Sequence, residues 1–366
     1  MIQSLRAIAK LSFREDDQAN RHGIGPDDSR RMYAKDNFPM TTSATGTGIA
    51  SLTVSGTGFI AEIAYQGATL LSWRPVSADG SGGENLVDGY STPAEMQSQN
   101  GVRNGILAPF SNRIPDGRFS FAGQTHRIEP VLAHEALVFH GFARALPFVL
   151  AQSSEENGAH TLIFRAEISP ADFSGYPYRL AIEVEYCFVG HDVTIDIRGI
   201  NRDDRPLPFA AGWHPYFHLP GTTSIDDLLL TLPSRTAIET NEYLIPLRNP
   251  QGGLVKRNDT LFLHTPLAGH VVDACFTDLI ASANGLYETR LENPRDGTSL
   301  TVWQERGHMH VFTGDTLARD RRRSIALEPV ETPTNAFNQT ELADAITLQP
   351  GETRSFRFGV RFKAAR

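Results

Sequence analysis

From Gly48 onward, apolar and polar positions alternate with a period of two. Ile49, Ser51 and Thr53 fall on one side of an extended chain, and Ala50, Leu52 and Val54 fall on the other. The alternation resumes over 59–64 after a Gly-rich turn, and again over 69–73. Further runs cover 161–168, 180–189, 193–200, 288–291, 299–303, 310–313 and 355–362. Each is short, rich in β-branched or aromatic residues, and bounded by Gly, Pro, Asn or Asp. Successive side chains of a strand point to opposite faces, so this spacing predicts strands with one face on a core. Helical periodicity is nearly absent. Only 93–99, with Pro93 at its first position, predicts a short helix. The expected fold is all-β, a sandwich or barrel.

Residues 1–45 break the pattern. Charges cluster at Arg14–Asp17, Asp27–Asp28 and Arg30–Arg31, and apolar residues thin out after Phe13. Ile2, Leu5 and Ile8 have helical spacing, but the stripe is too short to hold a helix alone. This segment is expected to be a disordered N-terminal extension, with Met40 a candidate alternative start. Strand patterns continue through 200–300 without a linker, so 46–366 is expected to form a single domain.

Composition narrows the function. The chain has 366 residues, 40% hydrophobic and 21% charged, enough for a sizeable core. Its net charge of −8 argues against a nucleic-acid surface, which needs a basic stripe. No run of 18 apolar residues predicts a membrane span, and the start lacks a signal peptide's apolar region, so a cytoplasmic location is the expectation. Cys187 and Cys275 sit in apolar runs without a CxxC pair and are expected to be buried small hydrophobes. No cofactor and no metal is expected.

Five islands carry candidate chemistry. In SIALEPVETPTNAFNQ (324–339), the apolar 325–327 delivers Glu328, and Pro329 follows at once. Proline lacks an N–H and biases its predecessor toward extended backbone, so a strand is expected to end with Glu328 at its tip. That suits a general base, although a solvated strand end is the commoner case. In NGILAPFSNRIP (104–115), Asn112 and Arg113 lie between turn residues, and Arg113 offers a donor fork to hydroxyls or a carboxylate. In VFHGFAR (138–144), His140 precedes Gly141, which permits close approach of a ligand or backbone. In AAGWHPYFHLP (210–220), Trp213 and Tyr216 flank His214; aromatic faces beside imidazoles suit sugar recognition, and an aromatic core strand is the structural alternative. In HVVDACFTDL (270–279), Asp273 sits in an apolar run where a carboxylate needs a partner. Two further stretches carry weaker signals. His308 and His310 would share a strand face, but no third metal ligand is near in sequence. RDRRR (319–323) reads as a solvated loop that could grip a phosphate.

Taken together and in this order, the Asn-Arg-Ile segment, HGF, GWHPYFHL, VVDACFTDL and LEPVETPTNAFNQ resemble the aldose 1-epimerase (galactose mutarotase) family, from about Gly48 to Phe362. The resemblance implies a large antiparallel β-sandwich with a concave sugar cleft, and cofactor-free exchange of the α and β anomers of a free hexose. It implies Glu328 as general base and His214 as general acid, with Arg113, His140 and Asp273 on sugar hydroxyls. The Trp-His-Pro-Tyr-Phe around His214 is similar to a divergent bacterial branch. The expected partner is a monosaccharide, with no nucleic acid and no membrane. The chemistry takes a proton from the C1 hydroxyl and gives one to the ring oxygen; the ring opens, the C1–C2 bond rotates, and the ring recloses. A carboxylate beside an imidazolium is expected to do this, each stabilising the other's charge. Rival readings are a hexose-6-phosphate epimerase using Arg144 or the RDRRR run, a non-catalytic carbohydrate-binding module, and a glycosidase or lyase using Asp273 with Glu328.

Overall fold

A computed structural model describes residues 48–365, save 78–79, 233 and 259–262. The predicted N-terminal extension therefore lies outside the described residues. Two large antiparallel sheets face each other. One has nine described strands in the order Thr265–Pro266, Leu229–Thr231, Tyr287–Glu292, Ser299–Gln304, Thr353–Lys363, Asp192–Asn201, Leu180–Val189, Ala159–Ile168 and Val149–Glu156. Its central strands are ten or eleven residues long with unbroken register. The expected β-sandwich is what the chain forms. The predicted short helix is Pro93–Ser98, with Pro93 in its first turn and the Thr92 hydroxyl accepting from the Glu95 N–H.

The second sheet positions the site. Its strands are β1 (Gly105–Leu107), β2 (Gly212–His214), β3 (Tyr216–Phe217), β4 (Asp273–Thr277), β5 (His308–Phe312) and β6 (Ile325–Val330). The order is β4-β5-β6-β2-β1, with β3 also pairing β6, and Thr236–Ile238 and Lys256–Asn258 extend the sheet beyond β4. Alternation assigns its two faces. Trp213, Phe217, Phe276, Met309, Val311, Ile325 and Leu327 enter the core shared with Ile195, Ile197, Phe356 and Phe358 of the first sheet. Removing such apolar area from water contributes about 25 cal/mol per Å², which fixes which face turns inward. The intervening residues, His214, Tyr216, Asp273, His310 and Glu328, line the other, concave face.

Glu328 is not at a strand tip: β6 continues through Pro329 to Val330. Leu327 N–H donates to the Pro215 carbonyl (3.3 Å) and Glu331 N–H to that of Ala211 (2.8 Å). The rung between them falls at Pro329, where β2 gives way to β3. The missing donor is thus absorbed by one skipped rung, and the strand survives. Cys187 is half-buried, its position alternating with core residues Tyr186 and Phe188, whereas Cys275 is buried as expected.

Candidate active site

Register sets the site. His310 pairs across from Glu328, and Cys275 from His310. Gly212 pairs with Val330 and Tyr216 with Ala326, so His214 lies opposite Glu328 on the other flank. Directly opposed residues bring their Cβ atoms to about 4.5–5.5 Å. A transverse row of Cys275, His310, Glu328 and His214 therefore crosses four strands. Its His310, Glu328 and His214 floor a cavity of about 470 Å³, within the range of small-molecule sites.

Glu328 is 2% exposed, and its Oε1 lies 3.3 Å from His214 Nε2. Burial disfavours the carboxylate and pushes Glu328 up to about 8; the charge on His310 opposes this without overcoming it. Burial likewise pushes His214 down to about 3, with His310 adding to the fall. The carboxylate–imidazolium ion pair expected from sequence is therefore not the resting preference of these two groups. Desolvation outweighs their mutual attraction and favours the neutral pair. The cation of the row is His310. Burial alone would lower it, but Glu328 and Asp273 raise it well above the usual histidine range. Its Nε2–H donates to Asp273 Oδ1 at 2.8 Å. Asp273 reaches in from the rim with 40% of its side chain exposed. Burial acts to raise it, yet the contact with His310 holds it below the ordinary aspartate value.

The loops complete the wall. His140 has φ 60° and Gly141 φ 65°, and a Cβ on Gly141 would lie 2.2 Å from the Ala108 carbonyl. Only glycine permits that approach, so the partner that Gly141 admits is backbone. His140 is buried, its Nδ1 accepting from the Asn112 N–H (3.2 Å), which leaves Nε2–H as a donor. Burial first, then the neighbouring His214, Arg144, His310 and Arg113, hold it neutral, well below its ordinary value. Arg113 and Asn112 line the same cavity, and Arg113 donates to the Tyr243 carbonyl at 2.5 Å. Tyr216 stacks on the His214 ring at 5.0 Å and donates its hydroxyl to the Gly101 carbonyl (2.8 Å).

Seven of the eight sequence-predicted site residues thus converge: Glu328, His214, Arg113, His140, Asp273, Asn112 and Tyr216. Trp213 does not. It points from the opposite face of β2 into the core, stacks on Phe358 at 5.7 Å, and donates its indole N–H to the Asn104 carbonyl. Strand alternation makes that unavoidable once His214 faces the cleft. Sequence reasoning weighed His310 only as a metal ligand. Its partner was legible in principle, because consecutive strands usually pair and β5 directly precedes β6. Among the described residues, no group of three or more His, Cys, Asp or Glu could hold a metal ion, and no helix is long and apolar enough to cross a membrane.

A double antiparallel sandwich with a carboxyl–imidazole floor to a polar cleft defines the class, a mutarotase-like β-sandwich. The chain belongs to the aldose 1-epimerase family, whose profile matches residues 51–361. It is 25% identical over 257 residues to the uncharacterized protein YihR of Escherichia coli K12, covering 70% of this chain and 77% of that one. It is 27% identical over 283 residues to the galactose mutarotase of Mus musculus, covering 70% and 78%. A galactose mutarotase-like protein of Clostridium acetobutylicum shares the fold, with a TM-score of 0.72 at 14% identity over 86% of this chain and 95% of that one.

Proposed function

We propose that the protein is an aldose 1-epimerase that interconverts the α and β anomers of a free hexose. The observation that carries this is the Glu328–His214 pair, a proton acceptor and a proton donor 3.3 Å apart on the cleft floor. Anomerisation moves two protons on two oxygens bonded to one carbon, so the two groups must converge on neighbouring atoms. Glu328 accepts the proton of the C1 hydroxyl while His214 delivers one to the ring oxygen. After rotation about C1–C2, the transfers reverse. Neutral His140 donates to a sugar hydroxyl; Arg113 and the free oxygen of Asp273 hold others.

The free sugar is favoured over its 6-phosphate by the charges around the cleft. Among the described lining residues, Arg113 is the only Arg or Lys. Arg144 is buried against Glu135 (2.8 Å) and Gln99 (2.6 Å). Arg319 is held by Asp88, Glu95 and Asp320, and Arg322 by Asp226 and Asp315. A glycosidase would need Asp273 and Glu328 as an acid pair, but the His310 imidazole stands between them and occupies Asp273. Anomer-exchange rates on glucose, galactose and glucose 6-phosphate under identical conditions test the reading. Faster exchange of a free hexose supports it, and a strong preference for the phosphate would overturn the substrate class.

A further inference from the structure

We propose that His310, anchored by Asp273, is a positioning residue for the reaction: a fixed cation across the ladder from Glu328 that draws this carboxyl toward the ionised form in which it acts as the base. The inference rests on the mutarotase reading for its catalytic meaning, but its physical content concerns the ligand-free protein alone.

Three observations carry it. The first is register. His310 and Glu328 are directly opposed on adjacent strands, while His214 lies one strand further from His310. The imidazolium therefore acts more on Glu328 than on His214. The second is anchoring. The Nε2–H···Oδ1 bond to Asp273 (2.8 Å) fixes the ring from β4, where Cys275 pairs directly across from His310. With its Nε2–H committed to Asp273, His310 is placed as a stationary charge and not as a proton carrier to the sugar. The third is burial. His310 is 8% exposed and Glu328 2%, so water screens their interaction little.

The groups facing His310 make its charge self-consistent. Asp273 and Cys275 face it from β4, Glu328 from β6, and His214 from β2 beyond. His140 and Arg113 face it from the loops above. Two carboxyls flank it directly, and the surrounding imidazoles are both driven neutral by burial. Burial favours the protonated form of Glu328, and the neighbouring cation favours the ionised form that can accept the C1 proton. Asp273 then has two uses: one oxygen orients His310, and the other remains for a sugar hydroxyl.

The test pairs a rate profile with a direct titration. Glu328 must be ionised to act, so kcat/KM falls as pH drops below its pKa. In His310→Gln, which can still donate to Asp273 but carries no charge, this limb is expected to move to higher pH by about 1–3 units. At pH 7, kcat/KM is expected to fall by about tenfold or more and to recover as pH rises. A merely structural role would lower the rate and leave the limb in place, and that result would overturn the proposal. Should the variant fold poorly, ¹⁵N-histidine NMR of the ligand-free wild type decides. His310 is expected to be an imidazolium at pH 7, and a neutral ring there would overturn the proposal. Because that titration needs no substrate, it separates failure of this inference from failure of the mutarotase reading.

Discussion

The two sheets of the sandwich divide the work, and they do so by giving up different things. The nine-stranded sheet has long central strands, continuous register and strict alternation: Ile195 and Ile197 are fully buried and alternate with the half-buried Thr194, Asp196 and Arg198. Its charges stay on the outer face, where Arg198 pairs with Glu185 at 2.5 Å. The cleft sheet is built from strands of two to six residues, loses a rung at Pro329, and buries a carboxyl between two imidazoles. Burying a polar group without a full set of partners costs free energy. The regular sheet supplies the rigidity that lets the other tolerate this. Charge burial as such does not explain the difference. Arg144 is equally buried, but Glu135 and Gln99 engage its guanidinium and its plane covers Phe139. That network is structural, whereas the Glu328 row is left poised.

Substitutions should separate the two sheets. His214→Ala is expected to lower kcat by at least about a hundredfold in a folded protein, the usual scale of a lost acid–base group; steady-state anomer exchange measures it. Near-normal turnover would remove His214 from the chemistry.

The second separation is by pH. Glu328 is raised to about 8 by burial, and a base must be deprotonated. kcat/KM should therefore climb by up to about tenfold per pH unit from pH 6 to near 8 and then level off. Stability should run the other way. Between the ordinary glutamate value of 4.5 and about 8, the native state holds a proton that the unfolded chain has lost, so unfolding free energy declines as pH rises through this window. Glu328→Gln should remove this contribution, and the difference between wild-type and variant urea titrations at pH 5 and pH 8 would show it.

Trp213 sharpens the boundary between core and cleft. Trp213→Ala should cost about 3–5 kcal/mol of stability, the scale for truncating a buried aromatic ring. The milder Trp213→Phe should leave KM for the sugar within about twofold, since the indole lies behind β2 and touches no cleft surface. A large KM effect in a stable Trp213→Phe protein would return the residue to the binding surface. The smallest effect is expected in the scaffold. Ile197→Val should cost about 0.5–1.5 kcal/mol in urea unfolding with kcat unchanged.

The same contrast explains what could be read from the chain. The scaffold strands predicted at 180–189, 193–200 and 355–362 are found as Leu180–Val189, Asp192–Asn201 and Thr353–Lys363, because one-sided burial over many residues writes a clear period. The cleft strands Gly105–Leu107 and Tyr216–Phe217 are too short to show any period. Their residues were legible as chemistry, through the Asn-Arg and His-Pro-Tyr islands, and not as structure. Three things escaped. Pro329 suggested a strand end because a skipped rung leaves no trace in sequence. Trp213 was placed beside the sugar because composition does not say which face a side chain takes. His310 was missed as a neighbour of Glu328 because register is a property of pairing, and pairing is not local.

The measurement that tests the account most directly is two-dimensional exchange NMR on equilibrated glucose and galactose, with wild type and Glu328→Gln side by side. The account predicts that the wild type accelerates α–β exchange of at least one free hexose, and that the folded variant loses at least about a hundredfold of that acceleration. Equal acceleration by both proteins, or none by the wild type on any free hexose, would contradict it.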